Sequence, residues 1–315
     1  MNLWLRRLCR RSAPAFIAAA ALCALARPIS ADEVLPCRDI FRPGLTVADA
    51  EGCGVKTPPR LRRADGASEL LNQGIRHAEA GRHERALEAL REAARLRPRW
   101  ALAHYNIGWV YQLMERWEES ASSCRAAISF DRSLAEAHYI LGLSLEHLGK
   151  SAEAEASYEE ALRLKPDYAE AHNNLGNTRL RRGEYKKALS SYKAAAELQP
   201  EMADAYNGMG EAYRRLGRLA DAVEVYQTAV ELSPRHAVAY HNLGVTLALM
   251  GRFKEGAEAL RQAVALNPRD AEGRYNLGVI SLEALKDRQV AEEQYEALRE
   301  LSPPLAEKLR SLMAH

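Results

Sequence analysis

The chain has 315 residues, 47% of them hydrophobic and 27% charged, and a formal net charge of +2 at pH 7. Five of its 44 basic residues fall within the first 31 positions, which leaves 39 basic against 42 acidic residues, or −3, for the remainder. A mildly acidic, mixed surface argues against nucleic acid or an anionic membrane as the main partner, so protein becomes the default partner.

The opening 31 residues contain Arg6, Arg7, Arg10, Arg11 and Arg27 and no acid, and the stretch from Ala13 to Ala26 is almost wholly apolar. This order, a basic region followed by a short apolar one, is that of an export signal. The apolar run is shorter than the roughly 20 residues that span a bilayer, which favours cleavage over anchoring. Cleavage is expected after Ile29-Ser30-Ala31, with Ala24-Leu25-Ala26 as a second site. The compartment implied is the bacterial periplasm or the cell exterior; a mitochondrial presequence is the alternative, although this segment segregates its charge instead of spreading it.

Residues 32–66 are rich in proline, glycine and charge. They hold Cys37 and Cys53, and in an oxidising compartment these two would close a loop worth about 3 kcal/mol in the chain-entropy model. Free thiols are the alternative if the chain is not exported.

From residue 67 onward the sequence is periodic. Gly74, Gly108, Gly142, Gly176, Gly210, Gly244 and Gly278 recur every 34 residues. Nineteen positions after each of the first six stands an alanine (Ala93, Ala127, Ala161, Ala195, Ala229, Ala263), and sixteen after three of them a tyrosine (Tyr158, Tyr192, Tyr226). Prolines at 98, 166, 200, 234 and 268 end the second helix of a unit, because proline lacks the amide donor. A helix–turn–helix unit of this length cannot bury its apolar face alone and stacks on copies of itself.

With Asn-Leu-Gly at 174–176, 242–244 and 276–278 and Leu-x-Pro closing five units, the pattern resembles the tetratricopeptide repeat over about three quarters of the chain. Seven units are read: 67–100, 101–134, 135–168, 169–202, 203–236, 237–270 and 271–305. The fold expected is all-α, a right-handed α-solenoid, closed by a capping helix at 304–315 with Leu305, Leu309 and Leu312 towards the array. In the seventh unit Tyr295 and Pro303 come one residue late, which predicts an extra residue in the inter-helix turn near Asp287 to Gln289.

The resemblance implies that the first helix of each unit lines a concave groove, and that the positions six, three and two before the glycine and one, four and five after it point into that groove. The column two before reads Asn72, Asn106, Ile140, Asn174, Gly208, Asn242, Asn276. Such a ladder is similar to that of protein O-linked N-acetylglucosaminyltransferase, where the amides grip the backbone of an extended peptide. An amide both donates and accepts, so it suits that task. The competing reading is that these asparagines fix inter-helix packing. Tyr105, Trp109 and Tyr139, beside Leu71 and Ile75, form an aromatic zone expected to take apolar side chains; alternatively these residues are core, or are covered by residues 32–66. Asn173, Asn177, Arg181, Arg214 and Arg215 form a polar, basic zone expected to meet acids. His241, Val245, Leu249 and Val279 return the groove to apolar character. Glu155 reads as an exposed position on a second helix.

His104, His138 and His172 share a column, but equivalent positions lie on the order of 10 Å apart, too far to share one metal. The sequence contains no phosphate loop, haem motif, metalloprotease motif or nucleophile elbow. No cofactor and no metal are expected, and the function expected is that of a non-enzymatic scaffold binding an extended peptide or helix. A structural subunit that self-assembles, or that positions a cell-envelope enzyme or secretion complex, is the alternative, and a homo-oligomer is compatible with either.

Overall fold

A computed structural model of the chain describes residues 66–314. The leader and the Cys37–Cys53 pair lie outside the described residues. Within them every regular element is a helix, and the all-α repeat solenoid expected from the period is the architecture found. The chain divides into two compact units, Met1–Met114 and Glu115–His315.

The described part of the first unit holds α1 (Gly66–Glu79), α2 (His83–Leu96) and α3 (Ala101–Leu113). Leu71, Ile75, Leu87, Leu90 and Val110 make its core. Gly74 is needed where α1 meets α2, because a Cβ there would lie 2.5 Å from Leu90 Cγ.

The second unit runs through α4 (Trp117–Phe130), α5 (Ala135–His147), α6 (Ser151–Leu164), α7 (Ala169–Arg181), α8 (Tyr185–Leu198), α9 (Ala203–Arg215), α10 (Leu219–Leu232), α11 (Ala237–Leu249), α12 (Phe253–Leu266), α13 (Ala271–Val279), α14 (Arg288–Leu301) and α15 (Pro303–Met313). Tyr158, Tyr192 and Tyr226 are fully buried at successive levels of its core. Each ring occupies the space left by the glycine of its own repeat; a Cβ at Gly142, Gly176 or Gly210 would come within 2.5–2.6 Å of a ring carbon. The period of 34 therefore records a steric fit between one helix and the aromatic ring of the next.

The turn between the paired helices places its seventh residue after the glycine in left-handed backbone. Gly81, Gly149, Gly183, Gly217 and Gly251 take φ from +69° to +77°, and Glu115 and Lys286 take φ of 56° and 58° without being glycine. Lys286 stands eight residues after Gly278, so the extra residue of the seventh repeat lies before this turn. It is absorbed in α13's continuation, a π-turn over Ile280–Ala284. This corrects the expectation of an insertion near Asp287 to Gln289: a single inserted residue widens one helical turn more readily than it rebuilds a fixed left-handed turn. Helix α15 then covers the end of the unit, burying Ala306 and Leu309 against Leu298.

Candidate protein-binding face of the first helices

In the first unit the expected aromatic zone is largely enclosed. Leu71 and Ile75 are core residues, Tyr105 is only 2% exposed, and Trp109 is half-buried against the core cluster. The column of positions three before the glycine is thus core in α1 and α3, because the apolar residues it carries there are drawn inward. Asn106 is also buried, and its amide donates to the Leu102 carbonyl one turn back at 2.8 Å, so it offers no grip to a peptide. Asn72 is half-buried, and its Oδ1 is enclosed without a hydrogen bond.

The second unit shows what the ladder does. Asn174 donates to the Tyr139 hydroxyl at 3.0 Å, and Asn242 donates to Asn207 Oδ1 at 3.0 Å. Both bonds span 35 residues and link one first helix to the next, so these rungs pin neighbouring repeats together. Asn276 is half-buried in the same column. The ladder's gap at Gly208 has a physical cause: a Cβ there would lie 2.4 Å from the Tyr192 ring. Asn177 accepts from the Tyr192 hydroxyl at 2.7 Å, and Asn173 keeps an enclosed, unbonded Oδ1. Tyr139 is half-buried, tilted on Tyr168 with centroids 4.7 Å apart. Burial, with Glu170 nearby, pushes its hydroxyl up to about 12.

The basic zone is largely neutralised. Arg181 is paired with Glu146 at 2.5 Å, while Arg214 and Arg215 share the Glu211 carboxylate at 2.6 and 2.7 Å. Burial works to raise the Glu211 pKa, but hydrogen bonds from Arg214 and Arg215 outweigh it and hold the carboxyl below its ordinary range. The buried tyrosines reach the same groups from behind: Tyr158 donates to Glu146 at 2.9 Å and Tyr226 to Glu211 at 3.3 Å.

Glu146 was not singled out by column reading. The signal that finds it is an offset of 35 residues, which brings a position four after one glycine against a position five after the next. Two histidine–aspartate pairs also tie a first helix to the N-terminal cap of the next first helix. His236 Nε2 donates to Asp204 at 3.1 Å while its Nδ1 accepts from Ala239 N–H, and His241 meets Asp270, the cap of α13, at 2.7 Å. His104, His138 and His172 each bond a loop carbonyl six residues back. Glu155 proves buried, only 8% exposed, because it holds Arg179 at 2.9 Å and also pairs with Arg182.

Further along, α11 is apolar on its outward side as well as its inward one. Val238 and Leu249, at the two ends of α11, are 57% and 59% exposed, and Val245 between them is half-buried; Val279 packs instead with the cap around Leu298 and Leu309. The arrangement can therefore offer apolar contact flanked by carboxylates and amides.

A tetratricopeptide repeat family model matches residues 71–134, 173–237 and 242–306, and related repeat models match 147–181 and 225–257. Solved structures of similar fold include pilF of Pseudomonas aeruginosa (18% identity, 67% of this chain and 96% of that one, TM-score 0.60). Another is a tetratricopeptide repeat protein of Parabacteroides merdae (17%, 79% and 99%, TM-score 0.59). YrrB, described as a TPR protein with an unusual peptide-binding site, shares 24% identity over 64% of this chain and 99% of its own, with a TM-score of 0.52. At these identities the likeness is one of fold. No curated protein matches the chain.

Proposed function

Because the chain belongs to the tetratricopeptide repeat family, we propose that it is a non-enzymatic interaction scaffold. It holds an extended peptide or a partner helix on the face that α7, α9, α11 and α13 present. The observation that carries this reading is the outward apolar side of α11, where Val238 and Leu249 are more than half exposed although polar residues would cost nothing there. The peptide-binding site described for the similar YrrB adds support.

A photoreactive residue in place of Leu249, with a second probe at exposed Glu224 on α10 as control, tests the reading. Capture of a discrete protein by the Leu249 probe alone is the expected result. Equal capture by both probes, or by neither, would remove the support for this face.

The scaffold works in an exported compartment, a reading supported by the five arginines and the apolar stretch of its first 31 residues. There Cys37 and Cys53 are joined, and Cys124, whose thiol burial pushes up to about 12, stays reduced and unreactive. Mass spectrometry of the protein from its native host is expected to give a chain beginning at Asp32 and lighter by two hydrogens than its fully reduced form. A chain retaining residues 1–31 would contradict export by cleavage.

A further inference from the structure

We propose that the occupant of this face is a segment that alternates basic with apolar side chains, an inference that rests on the proposed scaffold function. The sequence by itself suggested the reverse, an acidic ligand for Arg181, Arg214 and Arg215. Those cations are already engaged. Arg181 is bonded to Glu146, and Arg214 and Arg215 are both bonded to Glu211.

The carboxylates are less committed. Glu170 and Glu272 are exposed at the start of their helices and make no ion pair among the described residues. The Asp204 side chain is 77% exposed and is met by a histidine, not by a lysine or arginine. Over α5, α7, α9, α11 and α13 six acids (Glu136, Glu146, Glu170, Asp204, Glu211, Glu272) stand with five arginines (Arg179, Arg181, Arg214, Arg215, Arg274), a balance of −1 with histidines neutral. None of the five is open, since Arg179 is turned to Glu155 and Glu159 and Arg274 to the Pro268 carbonyl and Gln294. An incoming acid would have to displace a bonded carboxylate, whereas an incoming base finds open ones. Electrostatic complementarity of this kind selects partners and speeds encounter more than it adds raw affinity.

The placement also sets a spacing. Asp204, Val238 and Glu272 occupy the same position in three successive repeats, so an exposed apolar side chain stands between two carboxylates. With repeats on the order of 10 Å apart, the two acids are separated by about 20 Å. An extended chain covers that distance in about six residues at roughly 3.3 Å each, and its alternate side chains point one way. The fitting pattern is a base at each end of a seven-residue stretch and apolar residues at the third and fifth positions, which flank Val238 where the stretch crosses α11.

Three fluorescein-labelled peptides test this on the full chain: KSVSLSK, ESVSLSE and KSSSSSK. Anisotropy is read at pH 8. Binding is expected for KSVSLSK at least tenfold tighter than for the other two. It should weaken severalfold with Asp204→Asn, with Glu272→Gln and with Val238→Ser, and on raising salt from 50 to 300 mM. A preference for ESVSLSE, no binding of any peptide, or binding of KSVSLSK indifferent to all three substitutions would overturn the inference. Capture from Leu249 judges the scaffold function separately: a partner trapped there without basic residues ends this inference and leaves that function standing.

Discussion

Gly176 and Gly208 hold the Tyr192 ring between them, with a Cβ at either position 2.6 or 2.4 Å from the nearest ring carbon. Gly176→Ala is therefore expected to cost about 1–3 kcal/mol, the usual range for overpacking a close-packed core, and chemical denaturation measures it. Glu211 gives a pH-dependent counterpart. Its folded-state pKa is depressed, so its contribution is present above the ordinary glutamate value of about 4.3 and is lost as pH falls through the lower folded value. The urea midpoint should stay level from pH 7 to 5 and fall below about pH 4. Glu211→Gln should remove part of that fall; an unchanged profile in the variant would mean that the two arginines do not hold the carboxylate in solution. At this scale the sequence was partly legible. The glycine and tyrosine columns announced their fit, since both recur in one frame. The role of Asn174, Asn242 and Arg181 was hidden because their partners, Tyr139, Asn207 and Glu146, stand 35 residues earlier, and a column read one position at a time does not bring them together. Tyr105 and Asn106 were misplaced for another reason: the position that is open in a polar helix is drawn into the core when the helix is apolar.

Helix pairs were the most legible level, because the recurring glycine of the first helix, the proline that ends the second and the spacing between them leave few alternatives; the left-handed glycine of the turn emerges only from the backbone geometry. The exception is the seventh repeat. An offset in Tyr295 and Pro303 shows that a residue has been added, but not which hydrogen-bonded turn widens to hold it. The answer, Ile280–Ala284, depends on the turn at Lys286 keeping its geometry. Lys286 pays for that geometry, since a left-handed conformation costs a non-glycine residue about 1–2 kcal/mol. Lys286→Gly should thus stabilise the fold by about 0.5–1 kcal/mol after the added freedom of the unfolded chain is subtracted. A lower melting temperature in calorimetry would show that Lys286 makes a compensating contact.

For the whole molecule, the repeat family and the solenoid class were legible from the period together with the Asn-Leu-Gly and Leu-x-Pro motifs, whereas the charge of the face that the first helices present was not, because net charge is a sum and the face depends on pairing. The array also needs an end. Helix α15 supplies it by burying Leu309 against Gly278 and Leu298. Ending the chain after Leu301 uncovers that surface. Removing the burial of one leucine forfeits about 1.5–3 kcal/mol, so a fall of several degrees in melting temperature is expected, with larger particles seen in light scattering. A truncated chain with unchanged melting would show that the cap is dispensable.

The three buried tyrosines have hydroxyls that end on Glu146, Asn177 and Glu211, groups on the outward face of the first helices. Each ring is consequently an optical sensor whose chromophore is locked in the interior while its polar tip is tied to the surface where a ligand would sit. Occupancy that tugs on any of those three acceptors must change the environment of a tyrosine, and the near-ultraviolet circular dichroism of the unlabelled protein would register it.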